Sequence, residues 1–150
     1  MNKILFVICS LFFLLNSLTI INAESQLGKI EIVIENLKSN NGVVRMHLYD
    51  KSKAKFFPSK TKLAFARKEN KPINKKVRFV LDSLPFGEYA ITTHHDENNN
   101  RKIDKNFLGL PNEGWGISNN PTVVLSLPDF EEAKVVLNKK AITINIKMNY

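Results

Sequence analysis

Apolar side chains fall at every second position through most of the chain beyond residue 29, and a period of two fits extended strands rather than helices. Ile30, Ile32 and Ile34 share one face, with Glu31 and Glu35 on the other. Val44, Met46 and Leu48 alternate with Arg45, His47 and Tyr49. Val77, Phe79 and Leu81 alternate with Lys76, Arg78 and Asp82, and Glu88 to His94 resumes the pattern after the turn Leu84-Pro85-Phe86-Gly87. Lys134 to Leu137, then Ile142, Ile144, Ile146 and Met148, predict two more strands, and Leu63 to Ala66 predicts a short one. Ser39-Asn40-Asn41-Gly42 has the residues of a tight hairpin turn, because Asn and Gly tolerate positive φ. Asn138-Lys139-Lys140 is short enough for a second hairpin. Helical periodicity is sustained nowhere; Pro128 to Ala133 suits a single turn. Short strands separated by turns predict an all-β domain, a single antiparallel β-sandwich with one long ordered loop. Its expected core holds Ile32, Met46, Phe79, Leu81, Tyr89, Ile144 and Ile146, with Phe56 and Phe57 tucked under a sheet.

The first residues follow a different rule. Lys3 precedes an apolar run from Ile4 to Leu15, and Ile21-Asn22-Ala23 resembles a cleavage site, so residues 1–23 are expected to be a signal peptide and residues 24–150 the exported domain. Asn16 and Ser17 break the run short of the ~20 apolar residues that a membrane span requires. The one cysteine, Cys9, lies inside the run, and Ile8 before it is not the small residue that lipidation needs. The remaining 127 residues suit one domain without disulfides or thiolate chemistry. The expected location is the periplasm or the extracellular space. Net charge falls from +8 to +7 when Lys3 is removed. The lysines are dispersed among acids from Lys29 to Lys147, the pattern of a solvated surface rather than a nucleic-acid patch.

The segment His95 to Pro121 interrupts the strands, and long loops in compact domains are usually functional or disordered. Phe107, Leu108, Leu110 and Trp115 are expected to pack down and order it. Asp96, Asn98, Asn100 and Asp104 take positions 1, 3, 5 and 9 of a calcium-type loop, with the Lys102 carbonyl at position 7. Glu113 is a candidate third carboxylate. Position 6 carries Arg101 and position 12 carries Phe107, so any calcium would be weakly held. The alternative is a loop organised by its own Asx-type hydrogen bonds. His94 and His95 point to opposite faces of a strand and are poorly placed to share a zinc ion. Ser118 lacks a nucleophile elbow, and Glu131 and Glu132 need not converge. Trp115 between Gly114 and Gly116 is either a sugar-stacking platform or an anchor of its loop.

Two stretches stand out together: Gly87-Glu88-Tyr89-Ala90 leading to His95 through Asp104, and Asn106 through Asn120, followed by Pro128 to Ala133. Their order and spacing resemble the bacterial exported family catalogued as Domain of Unknown Function number 2141. The resemblance implies a small β-sandwich outside the cytoplasm and no established activity. Phe79 to Tyr89 also resembles the strand–turn–strand of prealbumin-like, Greek-key sandwiches. Members of the family often carry Gly where Asn99 and Arg101 stand, and Arg resists positive φ more than Asn does.

The expected role is therefore a non-enzymatic binding or structural module of the envelope. Its binding surface is expected near His95, Trp115 and Asn119, and its partner is expected to be an envelope component or a glycan. Two alternatives stand beside it: a metal-assisted hydrolase built on His95, Asp96 and Glu113, and a carbohydrate-binding module using Trp115.

Overall fold

The computed structural model describes residues 26–123 and 126–150. The expected signal peptide, residues 1–23, lies outside the described residues. Among these residues the fold is all-β, with strands β1 (Leu27–Ile34), β2 (Val43–Asp50), β3 (Ala66–Asn70), β4 (Val77–Pro85), β5 (Gly87–Asp96), β6 (Gly114–Ile117), β7 (Val135–Leu137) and β8 (Ala141–Ile146). One short α-helix, α1 (Phe130–Ala133), precedes β7, and two 3-10 turns, Lys51–Phe56 and Thr61–Leu63, lie between β2 and β3. The first sheet has the order β4-β1-β8. The second has the order β3-β2-β5-β6, and β7 pairs with β5 beyond the end of β6.

Alternation dictates how the sheets meet. Ile30, Ile32 and Ile34 of β1 and Val77, Phe79 and Leu81 of β4 are buried against Val44, Met46, Leu48, Tyr89 and Ile91 of the other sheet. Of the seven expected strand residues of the core, Ile144 alone is half-buried, on the edge strand β8, whose next inward residue Ile146 is buried. A second apolar cluster covers the outer face of β2 and β5. There Tyr49 meets the edge of Phe57 at 5.3 Å, and Phe57 meets Phe130 of α1 at 6.2 Å. The aromatics of the 51–62 connection thus tuck under a sheet as expected. A capping box starts α1: the Asp129 carboxylate accepts the Glu132 N–H, and the Glu132 carboxylate accepts the Asp129 N–H.

Both expected hairpins are instead crossovers. β1 pairs with β4 and β8 while β2 pairs with β3 and β5, so residues 39–42 carry the chain from one sheet to the other. Gly42 is required there: its φ is +65°, and a Cβ would stand 1.9 Å from the Asp96 carbonyl oxygen. Residues 138–140 likewise leave the second sheet for the first. Turn residues specify that the chain reverses; alternation specifies which face is apolar. Neither selects the partner when two apolar faces share one core.

Two further expectations shift. The strand expected over Leu63–Ala66 begins at Ala66 and runs to Asn70 through Arg67, Lys68 and Glu69. As an exposed edge strand it carries no apolar alternation. Its Lys68 ammonium and Asn70 amide donate to the Val80 and Arg78 carbonyls, covering the open edge of β4. The pairing of β1 with β8 is parallel, with Ile32 opposite Ile144, whereas the other strand pairs are antiparallel. No short turn joins β1 to β8, so nothing imposes an antiparallel arrangement.

Candidate functional site

β5 ends at Asp96, and the loop from there to β6 at Gly114 is built on buried polar side chains. Asp96 is fully buried. Its Oδ2 accepts from Arg45 Nε at 2.7 Å and from the Arg101 N–H at 2.9 Å, and its Oδ1 accepts from the Asn100 N–H at 3.0 Å. Burial alone would raise the Asp96 carboxyl. The Arg45 guanidinium, the Arg101 N–H and His94 outweigh it and hold the group below the ordinary carboxylate value. Arg45 bonds Glu69 of β3 with its other arm.

Glu113 is the second anchor and is also buried. One oxygen accepts the Glu97 N–H at 3.0 Å; the other accepts the Asp104 N–H at 3.1 Å and His94 Nε2–H at 2.9 Å. A single carboxylate thus ties both ends of the 97–104 turn to β5. Inside the turn the Asp104 carboxylate accepts the side-chain amides of Asn98 (2.6 Å) and Asn100 (2.9 Å). Asn98 Oδ1 accepts the Asn100 N–H, and Asn100 Oδ1 accepts the Lys102 N–H, two successive Asx-type turns. Asn99 and Arg101 have φ of +60° and +66°, the conformation for which glycine is suited.

The expected cation set Asp96, Asn98, Asn100, Lys102, Asp104 and Glu113 is therefore one compact turn whose carboxylate oxygens have protein donors. A cation there would have to displace the two Asn amides from Asp104 and tolerate the Arg45 guanidinium on Asp96. Among the described residues, no three His, Cys, Asp or Glu side chains are grouped to hold a metal ion.

His94 and His95 project to opposite sides of β5, as adjacent strand residues must. His95 is fully buried; its Nε2–H donates to the Asn41 carbonyl at 3.0 Å, and its Nδ1 lies 2.8 Å from the Tyr150 hydroxyl. That hydroxyl also accepts the Lys38 N–H at 2.9 Å. The Tyr150 ring crosses Gly114, where a Cβ would meet it at 2.6 Å, so glycine is what lets the C-terminal segment lie over β6. His95, Asp96 and Glu113 do not converge on an open pocket, the arrangement that the hydrolase alternative requires.

Trp115 is half-buried against the second apolar cluster and forms an isolated bridge with Asn149. It borders a cavity of about 310 Å³ with Asn120 and Lys147. Asn119, expected on a binding surface, is exposed, but its amide donates to the Glu132 carbonyl at 3.0 Å and so helps to dock α1. Ser118 is buried between the Ile91 N–H and the Ala133 carbonyl.

The tip of the loop overturns one expectation. Phe107 is 95% exposed, Leu108 67% and Leu110 57%, so these side chains do not pack down. Asn106 closes the tip on itself: its side-chain oxygen accepts the Leu108 and Leu110 N–H groups, its N–H donates to Leu110 O, and its carbonyl accepts the Gly109 N–H. A turn this tight cannot fold its own apolar side chains beneath itself. Arg45 and Tyr150 were invisible as anchors, since neither lies near the loop in sequence.

The fold and site define an all-β module in which one loop is braced by buried polar contacts and capped by an apolar tip. The chain belongs to the family described as uncharacterized protein conserved in bacteria (DUF2141), whose profile matches residues 32–145 and so spans both sheets and the whole loop. No curated protein and no solved structure matches it.

Proposed function

We propose that the protein is an exported, non-enzymatic binding module of the bacterial envelope, and that the tip of the 95–120 loop is its contact surface. One observation carries this reading: the loop spends the carboxylates of Asp96, Asp104 and Glu113 on its own bracing and leaves Phe107, Leu108 and Leu110 in solvent. Isolated apolar residues on a surface are ordinary; several contiguous ones on a braced projection are a contact site. The charged start, apolar run and Ala23 support export.

A washed envelope fraction from the producing bacterium should retain the wild-type protein and release the Phe107→Ser/Leu108→Ser variant. N-terminal sequencing of the envelope-associated protein should begin near Glu24. Equal retention of wild type and variant, or intact Met1 on soluble cytoplasmic protein, would overturn the proposal. A glycan site is the second reading, favoured by the cavity beside Trp115 with its amide and ammonium neighbours. It requires Trp115→Ala, and not the tip variant, to abolish retention.

A further inference from the structure

Resting on the envelope-binding reading above, we infer that the loop tip seats in the interface of an anionic lipid bilayer. Three features of residues 101–110 converge on that partner. The apolar side chains are convex: Phe107, Leu108 and Leu110 project from a turn, with Ile103 43% exposed beside them. A protein partner would need a matching groove, whereas a fluid interface receives a projection of any shape.

Most N–H groups at the tip are already bonded within it. Of the five N–H groups from Asn106 to Leu110, all but that of Phe107 have acceptors within the turn, and the Asn112 N–H closes its base on the Asp104 carbonyl. Unpaired backbone groups are costly in a low-dielectric phase, so a self-bonded turn is what such a phase tolerates.

The charges around the tip have the sign for anionic headgroups. Arg101, Lys102 and Lys105 are exposed, and the one acid among them, Asp104, is occupied by the Asn98 and Asn100 amides. Apolar residues flanked by cations bind membrane surfaces through the two forces together.

Residues 24–150 hold every strand of both sheets, and this span is the material for the test. Co-sedimentation would be measured with phosphatidylcholine vesicles, with and without phosphatidylglycerol. Binding to the anionic vesicles should exceed binding to phosphatidylcholine alone by about tenfold and should weaken as salt rises. Phe107→Ser/Leu108→Ser should lower binding by at least about tenfold while leaving the melting temperature unchanged, because both side chains are in solvent. Lys102→Gln/Lys105→Gln should remove the preference for anionic vesicles. The inference is overturned if wild type binds neither vesicle, or if the tip variant binds as wild type does. Tip-dependent retention on the envelope fraction without any vesicle binding would overturn the lipid assignment and leave the envelope-binding reading standing, with a non-lipid component as partner.

Discussion

Arg45 Nε lies 2.7 Å from Asp96 Oδ2, linking β2 to the last residue of β5 at the point where the long loop departs. Removing one member of a buried charge pair leaves the other without compensation. Asp96→Ala should therefore destabilise the protein by about 3 kcal/mol, at the low end for such pairs because Arg45 keeps Glu69. Urea denaturation measures the loss. A change within about 0.5 kcal/mol, typical of an ordinary surface site, would mean that the pair does not brace the loop.

Acid should weaken the fold in two windows. Burial, aided by His94, Arg67 and Arg45, lowers His47 from 6.5 to about 4 in the folded state. Between those values the unfolded chain takes up a proton that the folded chain refuses, so stability falls as pH drops from 6.5 towards 4. The depressed Asp96 carboxyl acts lower: its contribution is whole above its unfolded value of 3.8 and is lost as pH falls through the folded one. Denaturation at stepped pH should show the upper window in wild type and a flatter profile in His47→Gln.

Arg101 holds a φ of +66° and contributes to the turn through its backbone N–H, which donates to Asp96. Glycine keeps that N–H and removes the Cβ penalty of the left-handed region, ~1–2 kcal/mol, against ~0.4–1 kcal/mol of added unfolded-chain entropy. Arg101→Gly should raise stability by about 0.5–1 kcal/mol, read as a higher urea midpoint.

Calcium should have little influence on the wild-type turn, since Arg45 and the Asn amides already occupy the carboxylates. The melting temperature in millimolar calcium should match that in chelator. A calcium-dependent rise that Asp96→Ala abolishes would instead place the cation in the loop, because a ligand that binds only the folded state stabilises it.

Phe79 is 1% exposed and lies between the sheets. Phe79→Ala should cost about 3–5 kcal/mol, the range for a buried aromatic.

Much of this fold was legible because burial writes itself into alternation. Ile30, Ile32 and Ile34, or Val77, Phe79 and Leu81, announce both their strand and their inward face. Pairing was not legible. Asn40, Asn41 and Gly42 do turn the chain, but into the opposite sheet, and an arch and a hairpin use the same residues. β3 was misplaced because its residues beyond Ala66, from Arg67 to Asn70, are all exposed and have no apolar face to reveal them. At the loop, the spacing of Asp96, Asn98, Asn100 and Asp104 pointed to a tight oxygen-rich turn, and Asn99 and Arg101, where the resembled family often carries glycine, hold positive φ values. The bracing by Arg45 and Tyr150 arises from three-dimensional proximity alone. The exposed tip was misjudged because apolar content suggests burial, and only the Asn106 hydrogen bonds reveal why Phe107 stays outside.

The parallel pairing of β1 with β8 sets when this chain can fold. Lys38 and Tyr150, joined by a hydrogen bond, stand 112 residues apart, and β1 waits for β8 across a comparable stretch. Closing so long a loop carries an entropic cost that local contacts do not repay beforehand, the property that slows folding in chains of high contact order. With β8 not yet synthesised, β1 has one partner only, and Ile142 and Ile144 are missing from the core's edge. Completion of the first sheet is thus deferred until residues 141–146 are free to pair with β1, and anything that holds those residues back also holds the sheet open.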